Sequence, residues 1–185
     1  GGAHYTWQIL AGHRSGACNL QVIEGGADSF HKGAIIRSSA YQFPATCRIP
    51  LDYFAAAVPR EAAFLMKFLD DVRKNKDFKP AALDESSSSY YPFLYTKKQG
   101  FIDWSWSLAE IERFICAFDD PYAGASSFIG IGDVRVHIKK AFTQKKREGF
   151  HPFHAGLVYR GDARGLFIAV RGGTLLVKQV EDENG

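Results

Sequence analysis

FIDWSWSLAEIERFICAFDDPYAGA, residues 101–125, carries the clearest local signals in the chain. Ser107 and Glu110 stand at the S-x-x-E spacing of a capping box, which satisfies two amide donors orphaned at a helix start. Leu108, Ile111, Ile115 and Phe118 then recur at helical spacing, and Phe114 widens the stripe. Asp120-Pro121 must stop the helix, because the residue before a proline avoids helical backbone and Pro121 has no amide hydrogen. Upstream, Ile102–Trp106 alternates apolar and polar residues, the pattern of a short strand. Downstream, Gly124-Ala125 leaves room for close approach of another segment. Strand, capped helix and proline stop are the local prediction.

From there the chain turns β in character. Phe128–Gly130, Val134–Ile138, Ala155–Tyr159, Leu166–Val170 and Thr174–Gln179 are short apolar runs separated by glycine-bearing turns. Arg171-Gly172-Gly173-Thr174 reads as a tight hairpin turn. Several short strands with one helix suggest a small barrel. The acidic tail 181–185 is expected to fray.

Towards the N-terminus, Tyr5–Leu10 reads as a short helix ended by Gly12, and residues 13–16 as a polar turn. Ala17–Ile23 alternates as a half-buried strand should. Residues 24–28, Glu24-Gly25-Gly26-Ala27-Asp28, then form a glycine loop. A second strand begins at Gly33. A long helix covers residues 51–75, with Ala62, Leu65, Met66, Leu69 and Val72 on an apolar face and Arg73, Lys74 and Lys76 suited to its negative end. Residues 75–90 hold Ser86–Ser89 and little apolar surface to order them, which places a domain boundary there.

With 185 residues, 46% of them hydrophobic, the chain can bury one sizeable core or two small ones. No apolar run approaches the ~20 residues of a membrane helix. Cys18, Cys47 and Cys116 have no C-x-x-C spacing and fit reduced thiols in a cytoplasm better than disulfides or a zinc site. A net charge of +3 does not demand a nucleic-acid partner.

Two stretches bear a family resemblance. Residues 102–125 resemble the segment that opens the C-terminal domain of folate-dependent formyltransferases, which include methionyl-tRNA formyltransferases and nucleotide-sugar N-formyltransferases. Residues 1–29, GGAHYTWQILAGHRSGACNLQVIEGGADS, resemble the family's stretch after its catalytic histidine: a small-residue turn, a Trp in a helix, a strand, then Gly-x-Asp. The resemblance implies an α/β fold: the later part of a Rossmann-like parallel-sheet catalytic domain over 1–82, a linker over 83–100, and an OB-like β-barrel domain over 101–185. It implies N-formyl transfer from 10-formyltetrahydrofolate, a co-substrate, to a primary amine. A nucleotide-linked amino sugar is the favoured acceptor; initiator tRNA, or a catalytically incomplete binding module, is the alternative. No membrane is involved, and homodimerisation is left open.

By the same resemblance Asp28 is the essential aspartate, which orients and charges a histidine while an asparagine polarises the formyl carbonyl. Spacing alone would make it a turn-capping residue. Glu24, Gly25 and Gly26 share its loop and join it at the folate; Trp7, Lys97 and Lys98 are assigned to the acceptor. By pattern alone Trp7 is core, and Lys97 and Lys98 are surface cations. After Ser29 the family pattern G-x-D-[TS]-G is broken by Phe30-His31-Lys32. No histidine in 1–185 stands two residues after an asparagine. The family's Asn-x-His pair is therefore expected upstream, in an active form longer by roughly a hundred residues.

Other patterns are weaker. His151 and His154 lack a carboxylate or thiol at metal spacing and read as a strand-entry turn, so no metal is expected. The basic run Lys139, Lys140, Lys145, Lys146 and Arg147 reads as a solvated loop before it reads as a phosphate track. Ser86–Ser89 has no nucleophile elbow, and Gly130-Ile131-Gly132 is too little for a dinucleotide fingerprint.

Overall fold

The computed structural model describes residues 3–23, 25, 33–82, 86, 89–130, 134–145 and 149–182. Its elements are α1 (His4–Leu10), β1 (Ser15–Gln21), β2 (Ile35–Gln42), α2 (Pro50–Arg73), α3 (Leu108–Phe118), β3 (Ala125–Ile129), β4 (Val134–Lys145), β5 (Val158–Asp162), β6 (Gly165–Val170) and β7 (Gly173–Glu181). They fall into two compact units, one of Gly1–His13, Arg48–Tyr53 and Phe93–Gly185, the other of Arg14–Cys47 and Phe54–Pro92.

In the first unit, α3 lies on a five-stranded antiparallel sheet of order β3-β4-β7-β6-β5, and α1 packs on α3. Ser107 starts α3 as expected: its Oγ accepts from the Glu110 amide and its own amide donates to Glu110 Oε2 at 2.9 Å. Ile111, Ile115 and Phe118 point into the sheet and meet a core that includes Val170, Leu175 and Val177, all essentially buried. β7 is buried continuously from Gly173 to Val177, lying at the centre of the sheet between β4 and β6 with α3 against it. Arg171 and Gly172 make the two-residue β6–β7 turn, Gly172 at φ +91°.

Two segments differ from their sequence reading. Ile102–Trp106 is not a strand: Asp103 Oδ1 accepts the Ser105 amide and Trp106 N–H closes a turn on the Asp103 carbonyl. Lys139 and Lys140 lie inside β4 rather than in a solvated loop. Lys139 is buried, with Nζ 2.8 Å from Asp120 Oδ1. Lys140 sits at φ +52°, an L-residue conformation that needs outside support. Asp119 supplies it, Oδ2 accepting the Lys140 amide at 2.8 Å while Oδ1 accepts the Asp120 amide at 2.7 Å. The Asp119-Asp120-Pro121 stop thus does more than end α3. It pins the distorted centre of β4.

Arg48 is a second pin. Its Nη2 donates to Glu112 Oε1 at 2.7 Å and to the Ala141 carbonyl at 2.9 Å, with the guanidinium 4.5 Å from the Phe142 ring. Beside it, burial pushes the Cys116 thiol up to about 11, against the opposing pull of Arg48. A raised thiol pKa means stability that is present below the ordinary value of 9.0 and lost as pH rises through about 11. We expect the urea midpoint to fall between pH 9 and pH 11, and Cys116→Ala to flatten that fall. An unchanged slope in the variant would refute it.

In the second unit β1 and β2 pair antiparallel, from Ser15↔Gln42 to Gln21↔Ile35, and side chains link them to α2. The Arg60 guanidinium covers the Tyr41 ring at 5.1 Å, and Arg37 reaches Asp71 at 2.9 Å. Gly16 is required here, since a Cβ would sit 2.7 Å from the Tyr41 ring. The implied parallel sheet is not formed by this pair: β2 returns directly beside β1, without the crossover helix a parallel neighbour needs. Nor do the described strands of the first unit close a barrel, because β3 and β5 end the sheet unjoined to each other. The fold class is mixed α/β with antiparallel sheets.

Candidate functional site

The residues assigned to folate largely escape description. Glu24, Gly26 and Asp28 lie outside the described residues, while Gly25 is exposed with open space around it. The flanks of their loop are well fixed. Gln21 Nε2 donates to the Gly33 carbonyl at 2.6 Å, and the Val22 amide donates to the Ala34 carbonyl at 2.9 Å. Gly33 cannot carry a side chain, because a Cβ would lie 1.9 Å from the Val22 carbonyl oxygen.

Trp7 sits in α1, half-buried, while Thr6 and Ile9 of the same helix are buried. Lys97 and Lys98 fall in a turn of the first unit, both exposed. The turn is closed by the Lys98 and Gln99 amides on the Tyr95 carbonyl, both at 2.9 Å, and by Gln99 Oε1 on the Tyr95 amide. Lys98 Nζ stands 5.3 Å from the Tyr95 ring. The Lys97 carbonyl accepts from Arg135 Nη2 at 2.6 Å, which ties the turn to β4.

Around that tie the sheet builds an aromatic shelf. Phe128 of β3 and Arg135 of β4 are register partners. Phe101 lies stacked on Phe128, centroids 5.4 Å apart and planes at 14°, with the Arg135 guanidinium 4.9 Å from the Phe101 ring. Phe101 is placed by the bridge it makes with Ser126, and Arg135 by two hydrogen bonds to the Ser126 hydroxyl at 2.9 and 3.3 Å. Gly100 fixes the approach: at φ +96°, a Cβ there would lie 2.5 Å from Phe118. Phe101 and Phe128 remain exposed. Half-exposed rings beside a guanidinium and two exposed lysines can stack a planar group and hold its phosphate.

A separate cavity of about 350 Å³ is lined by Leu10, Trp106, Glu110, Arg113 and Phe114. Leu10, Trp106 and Phe114 make its apolar wall, Trp106 standing edge-on to Phe114 at 5.1 Å, and Glu110 and Arg113 its charged one. Glu110 is already engaged: the Ser107 hydroxyl and amide hold its carboxyl below the usual range. Among the described residues no cluster of three or more metal-ligating side chains occurs. His151 caps the short turn Pro152–His154, its Nδ1 accepting the Phe153 amide at 3.2 Å.

Phe101, Phe128 and Arg135 were invisible to sequence reading. Nothing in their spacing brings them together; strand register and one bridge do.

Residues 95–185 match the family model described as formyl transferase, C-terminal domain. Residues 95–185 are a formyl transferase C-terminal domain. A methionyl-tRNA formyltransferase of Marinobacter nauticus is 30% identical over 99 residues, covering 54% of this chain and 30% of that protein. The chain thus spans less than a third of that relative. Among solved structures, a variant of HypX from Aquifex aeolicus superposes with TM-score 0.69 at 18% identity, over 95% of this chain and 30% of that one. The N-formyltransferase from Helicobacter canadensis, solved with folinic acid and dTDP-3-aminofucose, gives TM-score 0.62 at 18% identity, over 96% of this chain and 60% of that one. At such identity these two likenesses concern the fold. No helix among the described residues is long and apolar enough to cross a membrane.

Proposed function

We propose that this chain forms the later catalytic-domain portion, residues 1–82, and the C-terminal domain, residues 101–185, of an enzyme that formylates a primary amine. The observation that carries this is the formyl transferase domain match over 95–185. The co-substrate is 10-formyltetrahydrofolate, in keeping with the folate present in structures of the same fold. In the reaction the neutral amine nitrogen bonds to the formyl carbon as the bond from that carbon to folate N10 breaks. The amine loses a proton, N10 gains one, and the products are a formamide and tetrahydrofolate. Asp28 orients and charges the histidine that handles the proton. Within 1–185 no histidine stands two residues after an asparagine, the arrangement the resemblance implies for that histidine.

A nucleotide-linked amino sugar is the acceptor we favour over charged tRNA. The shelf of Phe101, Phe128 and Arg135, flanked by Lys97 and Lys98, offers one base-sized platform and a compact set of cations, which suits a single nucleotide diphosphate. Trp7 is retained as an acceptor contact. Three buried cysteine thiols suit a reducing cytoplasm. The test is formyl transfer by the enzyme carrying this chain, followed by folate absorbance, with a panel of nucleotide-linked amino sugars against charged initiator tRNA. Phe128→Ala should raise KM for the sugar nucleotide about tenfold and leave kcat in place, the size expected for one base–ring stack. Turnover with tRNA alone would move the assignment to the methionyl-tRNA branch; folate binding without turnover on any amine would leave a binding module.

A further inference from the structure

α3 carries a second stripe besides the one that packs on the sheet. Trp106, in the turn before the helix, is followed by Glu110 and Phe114 at steps of four, with Arg113 beside them. Leu10, from the end of α1, closes the space over this stripe, which leaves the cavity of about 350 Å³ between the two helices. None of these residues belongs to the Phe101–Phe128 shelf. The walls are set by the protein itself. Trp106 is held by its amide on the Asp103 carbonyl at 3.2 Å, and Phe114 by Trp106 and Phe118, whose ring centroids lie 5.1 and 4.7 Å away. Both lining rings stay half-buried.

The two charges at this cavity differ in what they have left to give. Glu110 Oε2 already accepts from the Ser107 amide at 2.9 Å and from its hydroxyl at 2.6 Å. Arg113 is exposed and lies along the end of α1, where a Cβ on Gly12 would stand 3.6 Å from its Nη1. It makes no hydrogen bond or ion pair with a described residue.

We infer that the cavity binds a small aromatic monocarboxylate, its ring against Leu10, Trp106 and Phe114 and its carboxylate on the Arg113 guanidinium. The volume falls at the small end of ligand pockets, with room for one ring system and a short acidic arm. Aromatic walls favour a flat ring, and a planar guanidinium takes a carboxylate through two parallel N–H donors. A phosphate dianion suits the place less well, because Glu110 on the same wall repels the second negative charge. The inference is independent of the formyl-transfer reading.

Phenylacetate is the probe, titrated into the 185-residue chain by calorimetry and followed in parallel through tryptophan emission. It should bind saturably, and Trp106→Phe should remove the emission change. Phenylacetamide, which has the ring without the charge, and acetate, which has the charge without the ring, should each bind at least about tenfold more weakly. Arg113→Gln, at an exposed position, should bring phenylacetate down to the level of the amide. Leu10→Trp, which fills the space, should abolish binding of both. No saturable binding, phenylacetamide binding as tightly as phenylacetate, an emission change that survives Trp106→Phe, or affinity unchanged in Arg113→Gln would each overturn the proposal. So would binding by this chain that disappears in a longer folded polypeptide carrying it, since the cavity would then be filled from within.

Discussion

Asp119→Ala is expected to destabilise the first unit by about 3 kcal/mol, or on the order of 10 °C in Tm. The carboxylate is 2% exposed and accepts two backbone amides, those of Asp120 and Lys140. Removing it strands both amides at a partly buried place, and each stranded donor costs about 1–3 kcal/mol. Lys140 would also lose the acceptor that holds it at φ +52°, and with it the distortion that aims Lys139 at Asp120. Asp119→Asn keeps one carbonyl oxygen and should recover roughly half of the loss. Thermal unfolding of the two variants decides it: equal midpoints for alanine and wild type would mean that the contact carries no net stability.

Asp28→Asn is expected to lower turnover of the enzyme carrying this chain by about 100-fold or more while leaving Tm within a degree or so of wild type. An amide in that place still accepts one hydrogen bond, but it no longer supplies the negative charge that raises the basicity of the partner imidazole. The pH profile separates this from a folding defect. With the carboxylate gone the imidazole titrates lower, so the alkaline shift of the rate should begin at lower pH in the variant. Turnover retained within a factor of about two would remove Asp28 from the mechanism. Such an outcome would leave the family assignment of 95–185 untouched, because that rests on the other end of the chain.

The shelf prediction behaves differently from both. Phe128→Ala acts on acceptor binding alone, so it should move KM without touching stability or the folate half-reaction. Asp119→Ala moves stability without a specific kinetic signature, and Asp28→Asn moves kcat without stability. The three variants thus report on separate physical quantities.

Local chemistry was enough for the elements. Ser107 and Glu110 dictate where α3 begins, since orphaned amides at a helix start need acceptors and these two residues supply them three positions apart. Pro121 dictates where it ends, and the 3.6-residue recurrence of Ile111, Ile115 and Phe118 dictates the face that turns inward. Strands β6 and β7 and the turn at 171–172 were equally legible, because apolar runs flanked by glycine leave the chain few alternatives. Family resemblance put forward Asp28, which lies outside the described residues.

Tertiary structure decided what depends on register and on distant partners. The same alternation that suggested a strand at Ile102–Trp106 yields a turn, because Asp103 satisfies the Ser105 amide before any neighbouring strand can. Lys139 looked like one cation in a solvated run, yet the strand it occupies faces Asp120, and a buried carboxylate next door props up the backbone around it. Phe101, Phe128 and Arg135 are separated by 27 and 7 positions and become one surface only through strand pairing. The sequence offered one apolar face on α2, that of Ala62, Leu65, Met66, Leu69 and Val72; packing instead buries Ala57 and leaves that face exposed. Hydrogen-bonding needs and hydrophobic period act within a few residues and can be read from a string; pairing across the fold is set by which surfaces find each other, and no string records that.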